Sequence, residues 1–420
     1  MSTRSTDKPG DLTRRKFIST SLTGLAAAGI AGVSPGLAAA QDGEETAGSA
    51  AAAGKPAEET KGEMIHRTLG KTGISLPIVS MGAMNADNPE VVKASYEMGV
   101  RLFDTAALYA FGRNEQMLGK VIKDMGIRDE VVIGTKELLG GRANMSDEEA
   151  VEKFITLTEG SLKRLQVDYV DIIYLHSVPN AEGLDPACFE AMNRLKQQGK
   201  ARFSGISTHQ SMTEIITAVT ENDLCDVVLT SMNVSLADDA DLLSAIDAAA
   251  EKGIGILAMK TQAGGRQLPN QDSLNKYESG VVQSAMLKWV MRHESITTAI
   301  PGYTSYQHMK EDVSVAFSLE YTEDEKRFLA DNEMMMGLGF CRQCGACVAS
   351  CPHGVAVPEL MRTHMYAAQY SNFRQARATL DEIPAGRSIA ACKGCDTCSA
   401  RCAHHVDIAY RIEDLKLIYA

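Results

Sequence analysis

The chain has 420 residues, 45% hydrophobic and 5% aromatic, with a formal charge of −12. That length can bury a large core plus a second, smaller unit, and an acidic balance without a basic patch argues against nucleic acid as a partner. Ten cysteines would suggest disulfides in a small secreted domain, but eight of them lie between Cys341 and Cys402, which points to metal or cluster ligation. Cys188 and Cys225 stand apart and read as buried apolar residues.

The first 40 residues read as a twin-arginine export signal. Arg14, Arg15, Lys16 and Phe17 open it, a weakly apolar stretch runs to Val33, and small residues at Ala38–Ala40 offer a cleavage pattern. The alternative is a membrane anchor, but the stretch is short and rich in Gly, Ser, Thr and Ala, so no stable membrane span is expected. The expected location is periplasmic, or otherwise exported by that route. Residues 41–63, rich in Ala, Gly and Glu, read as a disordered linker.

From residue 64 to 320 short apolar runs alternate with amphipathic stretches. The runs are PIVSMG, LFDTA, VVIGTK, VDIIYLH, RFSGIS, VVLTSMN, IGILAMK and TTAIPG. Eight strand–helix units over about 250 residues predict an α/β fold, a (β/α)8 TIM barrel. The alternative, a doubly wound sheet, lacks a G-x-G-x-x-G after its first strand. Gly70 and Gly73 predict a short hairpin closing the barrel floor. Asp104, Lys136 and His176 fall at the ends of three successive strands, the face where barrel enzymes carry their chemistry.

The segment FDTAALYAFGRNEQMLGK, with IGTK, YLHS, LGKTGISLP and AIPGYTS, resembles the aldo-keto reductase family, and the likeness covers nearly all of residues 64–319. The resemblance implies a nicotinamide-dependent oxidoreductase acting on a small-molecule carbonyl or alcohol, with Asp104, Tyr109, Lys136 and His176 as catalytic residues. Tyr109 is the expected general acid in reduction and base in oxidation. Lys136, paired with Asp104, is expected to draw the phenol pKa down, and His176 to orient the substrate oxygen. The nicotinamide, NADP or NAD, carries the hydride.

The implied cofactor contacts are Gly82, Ser207, Thr208, Asn233, Lys260, Gly302, His308, Glu311 and Asp312. Ser207-Thr208 stands where the family has Ser-Asn, while Leu229 and Met232 stand where it has a glutamine and a stacking ring. Lys260 and the Gly264-Gly265 pair could meet the pyrophosphate, and His308 takes the place of the arginine that reads the 2′-phosphate of NADP.

Cys341, Cys344, Cys347 and Cys351, followed by Pro352, repeat C-x2-C-x2-C-x3-C-P, the bacterial ferredoxin run. Cys392, Cys395, Cys398 and Cys402 repeat the spacing, with Ala403 in place of the proline. Eight thiolates fit two [4Fe–4S] clusters, the fourth cysteine of each run serving the other cluster. Two zinc sites or a disulfide knot are the alternatives. His353, His404 and His405 read as surface groups or as supports behind the ligands, not as ligands. Residues 321–420 are therefore expected to form a small, mostly α-helical, ferredoxin-like iron–sulfur domain, with residues 355–389 a polar helix. It resembles the domain appended to a bacterial subgroup of the family. A redox protein is a further expected partner. Two other functions stay open: an exported electron-transfer protein whose clusters do the redox work, and a redox-sensing or structural protein.

Overall fold

The computed structural model describes residues 62–264, 276–331, 335, 337–395 and 397–419. The export signal over residues 1–40, nearly all of the linker over 41–63, and Gly265 lie outside the described residues. No helix among the described residues is long and apolar enough to cross a membrane.

Strands β1 (His66–Thr68) and β2 (Ser75–Pro77) form the expected antiparallel hairpin. Gly73 makes its turn in the left-handed region, at φ 72°. Leu69 and Leu76 plug the barrel floor, packing with Leu102, Ile172, Val227 and Leu257.

All eight apolar runs form strands. They are β3 (Met81–Gly82), β4 (Leu102–Asp104), β5 (Val132–Glu137), β6 (Val170–Leu175), β7 (Ala201–Thr208), β8 (Val227–Ser231), β9 (Gly255–Met259) and β10 (Thr298–Ala299). Each pairs in parallel with the next. A parallel bridge from Val79 to Ala299 brings the sheet back on itself. β5 and β6 are buried at every position, as a barrel strand covered by helices must be.

The outer helices are α1 (Pro89–Glu97), α2 (Arg113–Met125), α3 (Asp147–Leu165), α4 (Pro186–Gln197), α5 (Met212–Asn222), α6 (Ala240–Glu251), α7 (Val281–Met291) and α8 (Tyr306–Ser314). Their starts follow from sequence. Asn88 and Asp185 cap helices that begin with proline, and Ser146 with Glu149 forms a reciprocal capping box on α3.

After α9 (Glu323–Ala330) the chain enters the cysteine-rich region, which holds α10 (Val357–His364), α11 (Phe373–Asp381) and α12 (Ile408–Tyr419). The helix expected over 355–389 is broken. α10 runs into a single π-helical turn at Met365–Gln369; Ser371 then turns left-handed at φ 51°. Asn372 caps a new helix by accepting from the Gln375 N–H at 3.0 Å.

This region packs on the barrel's mouth through one apolar cluster. Ala263, Val282, Ala285 and Met286 from the barrel meet Phe340, Met365 and Tyr366. Polar ties flank it: Arg342 to Asp238 at 2.7 Å, Lys260 Nζ to Tyr366 OH at 3.0 Å, and Asn372 to Asn85 at 2.7 Å.

Candidate active site and cysteine sets

Asp104 ends β4 and Lys136 comes from β5, so parallel register brings them side by side. Lys136 is 1% exposed. Its Nζ donates to an Asp104 carboxylate oxygen and, at 2.6 Å, to the Thr105 carbonyl. Burial pushes the carboxyl up and the ammonium down, each opposed by the other's charge.

Tyr109 sits on a tight 3-10 turn after β4, followed by Ala110 and Phe111 in left-handed conformations. The Lys136 ammonium lies 5.2 Å from its ring centre. The His176 ring meets it edge-on at 6.0 Å. Four side chains from β4, β5 and β6 thus converge on one mouth.

The electrostatics differ from the sequence expectation. Burial pushes the Tyr109 phenol well above its ordinary value, and Asp104, Tyr366 and Tyr370 add to the rise. The depth of burial thus outweighs the lowering expected from Lys136. Burial also holds His176 well below its usual range, helped by Lys136, Arg362 and Lys260, so its imidazole is neutral at neutral pH.

Three cavities lie near these side chains. One of about 310 Å³ is lined by Gly82, Asp104, Tyr109, Lys260, Gly302 and Tyr370, with His308 at its edge. A second, of about 400 Å³, opens beside His176 between the Leu138–Arg142 and Val178–Asp185 loops. A third, of about 20 Å³, joins Lys260 and His209 to Arg362, Arg411 and Cys341; it has room for a water or two.

The other expected cofactor contacts scatter. The Ser207 hydroxyl accepts from the Ser177 N–H at 2.9 Å, and that of Thr208 donates to the Val178 carbonyl at 2.9 Å. Both therefore serve loop packing and do not line the 310 Å³ cavity. Asn233 donates to the Lys260 carbonyl at 3.1 Å and caps a 3-10 turn. Asp312 accepts from Gln262 at 2.6 Å and Glu311 from Gln307 at 3.0 Å.

Sequence reasoning missed Tyr366, Gln369 and Tyr370, which reach the mouth from the cysteine-rich region. Their i, i+3, i+4 spacing, which puts them on one helical face, was the available signal.

None of the eight clustered cysteines forms a disulfide. Cys341 lies within electrostatic reach of Cys347 and Cys402, and Cys347 of Cys344, Cys402 and Cys351. Cys392 lies within reach of Cys351, Cys395 and Cys398. Cys402 thus acts on two cysteines of the first run and Cys351 on one of the second, while Cys351 also acts on Cys347 of its own run. Burial first, and these neighbours besides, push Cys341 up to about 12 and Cys347 and Cys392 to about 11. The region is also furnished with N–H groups aimed at sulfur: Gln343 donates to Cys341 and His404 to Cys402, the latter at 3.3 Å. Among the described residues no three His, Cys, Asp or Glu side chains are set to hold a single metal ion; the ferredoxin spacing and the backbone donors at sulfur are what fit iron–sulfur ligation. Cys188 and Cys225 are buried in the barrel, as expected.

Residues 80–280 match the family model described as "Aldo/keto reductase family", and residues 340–406 the one described as "4Fe-4S dicluster domain". L-galactose dehydrogenase of Arabidopsis thaliana is 24% identical over 303 residues, 64% of this chain and 93% of its own length. Among solved structures, an aldo-keto reductase from Bacillus halodurans (holo form) has a TM-score of 0.52 at 22% identity, covering 64% of this chain and 95% of its own. An aldo-keto reductase from Klebsiella pneumoniae in complex with NADPH has a TM-score of 0.50 at 24% identity, covering 63% and 94%.

Proposed function

We propose, for a chain that is an oxidoreductase with an aldo/keto reductase domain and a 4Fe-4S dicluster domain, the nicotinamide-dependent interconversion of a carbonyl and an alcohol. The convergence of Tyr109, His176 and the Asp104–Lys136 pair on one mouth carries this reading. The nicotinamide supplies hydride to carbon. Tyr109 supplies the proton to oxygen, and its raised phenol pKa keeps that proton in place, which suits reduction. The Asp104–Lys136 pair fixes the floor beneath the Tyr109 ring. His176, neutral and facing the second cavity, orients the carbonyl oxygen. The nucleotide then takes the cavity of Gly82, Tyr109, Lys260 and Gly302, and the substrate the cavity beside His176. The Klebsiella relative's NADPH favours NADP over NAD.

In the same reading Cys341, Cys344, Cys347 and Cys402 hold one [4Fe–4S] cluster and Cys392, Cys395, Cys398 and Cys351 a second, for electron transfer or structure. Arg14-Arg15 directs the folded protein out of the cytoplasm; their replacement by Lys-Lys should leave unprocessed protein inside.

The test is anaerobic purification, iron and sulfide analysis, identification of released nucleotide, and NADPH-linked reduction of a carbonyl panel. About eight irons per chain are expected. Tyr109→Phe should lose about 10²–10⁴-fold in turnover while binding NADPH as before. One observation favours a second reading, in which the clusters do the redox work: Cys341 and Lys260 line the same small cavity. Iron without any NADPH or NADH binding would establish it over the first.

A further inference from the structure

The mouth of the barrel is finished by residues the barrel does not own. The π-helical turn Met365–Gln369 closes with the Tyr370 N–H on the Met365 carbonyl at 3.1 Å. A π turn inserts one residue into a helix and so re-aims the side chains beyond it, and such turns recur at functional sites. Here the turn is pinned on both flanks. The Lys260 ammonium donates to Tyr366 OH at 3.0 Å and lies 5.2 Å from the Tyr370 ring centre. Just past the turn, Asn372 holds Asn85 of the loop after β3.

Gln369 crosses directly over the barrel's β9 loop. Its Oε1 lies where a Cβ on Gly264 would come within 2.3 Å. The residue is 7% exposed, and its Nε2 has no hydrogen-bond partner among the described residues. A buried amide N–H left unpaired is costly, so this one is a donor ready for an acceptor that a ligand brings. Gln369, Tyr370 and Ser371 line the same cavity as Gly82, Asp104 and Tyr109. In the barrel itself Leu229 and Met232 are wholly buried and offer this cavity nothing.

We propose that the cysteine-rich domain completes the ligand site of the barrel, Tyr370 supplying an aromatic wall and Gln369 an amide donor for the carbonyl of a planar aromatic carboxamide. The proposal rests on the nicotinamide reading and deepens it. It makes nucleotide binding a property of both domains. It also gives the π turn a task that an uninterrupted helix, with its side chains rotated away, would not perform.

The test is NADPH binding to anaerobically purified full-length protein, by the fluorescence of the bound nucleotide, for wild type, Gln369→Leu, Tyr370→Leu and Tyr370→Phe. Iron content and visible spectrum check that each variant is loaded and folded. Gln369→Leu and Tyr370→Leu should each raise Kd about tenfold, the equivalent of about 1.4 kcal/mol, while Tyr370→Phe restores tight binding. Loaded Leu variants that bind like wild type would overturn the proposal and leave the nicotinamide reading standing. So would a Tyr370→Phe variant as weak as Tyr370→Leu, for the aromatic wall. A wild type that binds neither NADPH nor NADH would overturn both.

Discussion

Behind β5, two buried carboxylates share one arginine. Glu115 takes it: its carboxylate accepts from Arg164 Nε at 2.6 Å and from the Thr135 hydroxyl at 2.6 Å. Glu137, 2% exposed, accepts the Ser161 hydroxyl at 2.5 Å. Burial pushes Glu137 up to about 7; Ser161 and Arg164 work against the rise and Glu115 with it. The folded chain therefore keeps a proton that the unfolded chain releases near the ordinary glutamate value. The contribution of Glu137 to stability is greatest below that value and falls as pH rises towards 7, by about 3 kcal/mol in all. Thermal midpoints of wild type and Glu137→Gln from pH 5 to 8 check this. The wild type should lose ground to the variant as pH rises, and a difference independent of pH would refute it. Asp104, Tyr109, Lys136 and His176 were legible because each sits at a recognisable strand end. The Glu115–Arg164–Glu137 arrangement was not, since it exists only once α2, α3 and β5 have packed. The direction of the Tyr109 shift was misread for the same reason: sequence places Lys136 near the phenol but does not reveal how deeply both are buried.

At the scale of elements, the strands were readable because each is a short apolar run bounded by turn residues, and the hairpin because Gly70 and Gly73 mark it. The π turn was not. Met365–Gln369 has the composition of ordinary helix, and its departure depends on contacts with Lys260 and Gly264, some 100 residues away. Those contacts make a prediction. Gly264 has φ 103°, and an added Cβ would collide with the Gln369 side chain. Gly264→Ala should therefore cost about 1–3 kcal/mol from backbone strain and also lift the turn off the mouth. Hydrogen exchange would show it as faster exchange over 365–372, with β5 and β6 as protected as in wild type.

On the scale of the whole molecule, the cysteine-rich region has an apolar core of its own, in which Val357, Leu360, Ile383, Ile408, Ile412 and Leu415 pack beside Cys347 and Cys392. The same helix that builds that core runs on into the turn over the barrel mouth. Loss of iron should consequently be felt at the mouth. Anaerobic removal of iron by oxidation and chelation should raise hydrogen exchange over 357–372 and weaken NADPH binding, with the barrel strands unmoved; unchanged exchange in that segment would separate the clusters from the site. The sequence announced both regions through cysteine spacing and strand count, but not that one roofs the other, because the joining surface is a patchwork of single residues such as Ala263, Met286, Phe340 and Met365. The proposed exchange of Cys351 and Cys402 between the two sets would have a further bearing, on biosynthesis. In that pairing neither set of four is complete before translation has passed Cys398, so the first run cannot be charged with iron while the second is still unmade. Loading is then a late event in the proposed pairing: a chain cut short before Cys398 would hold no complete set of four, whatever the iron supply.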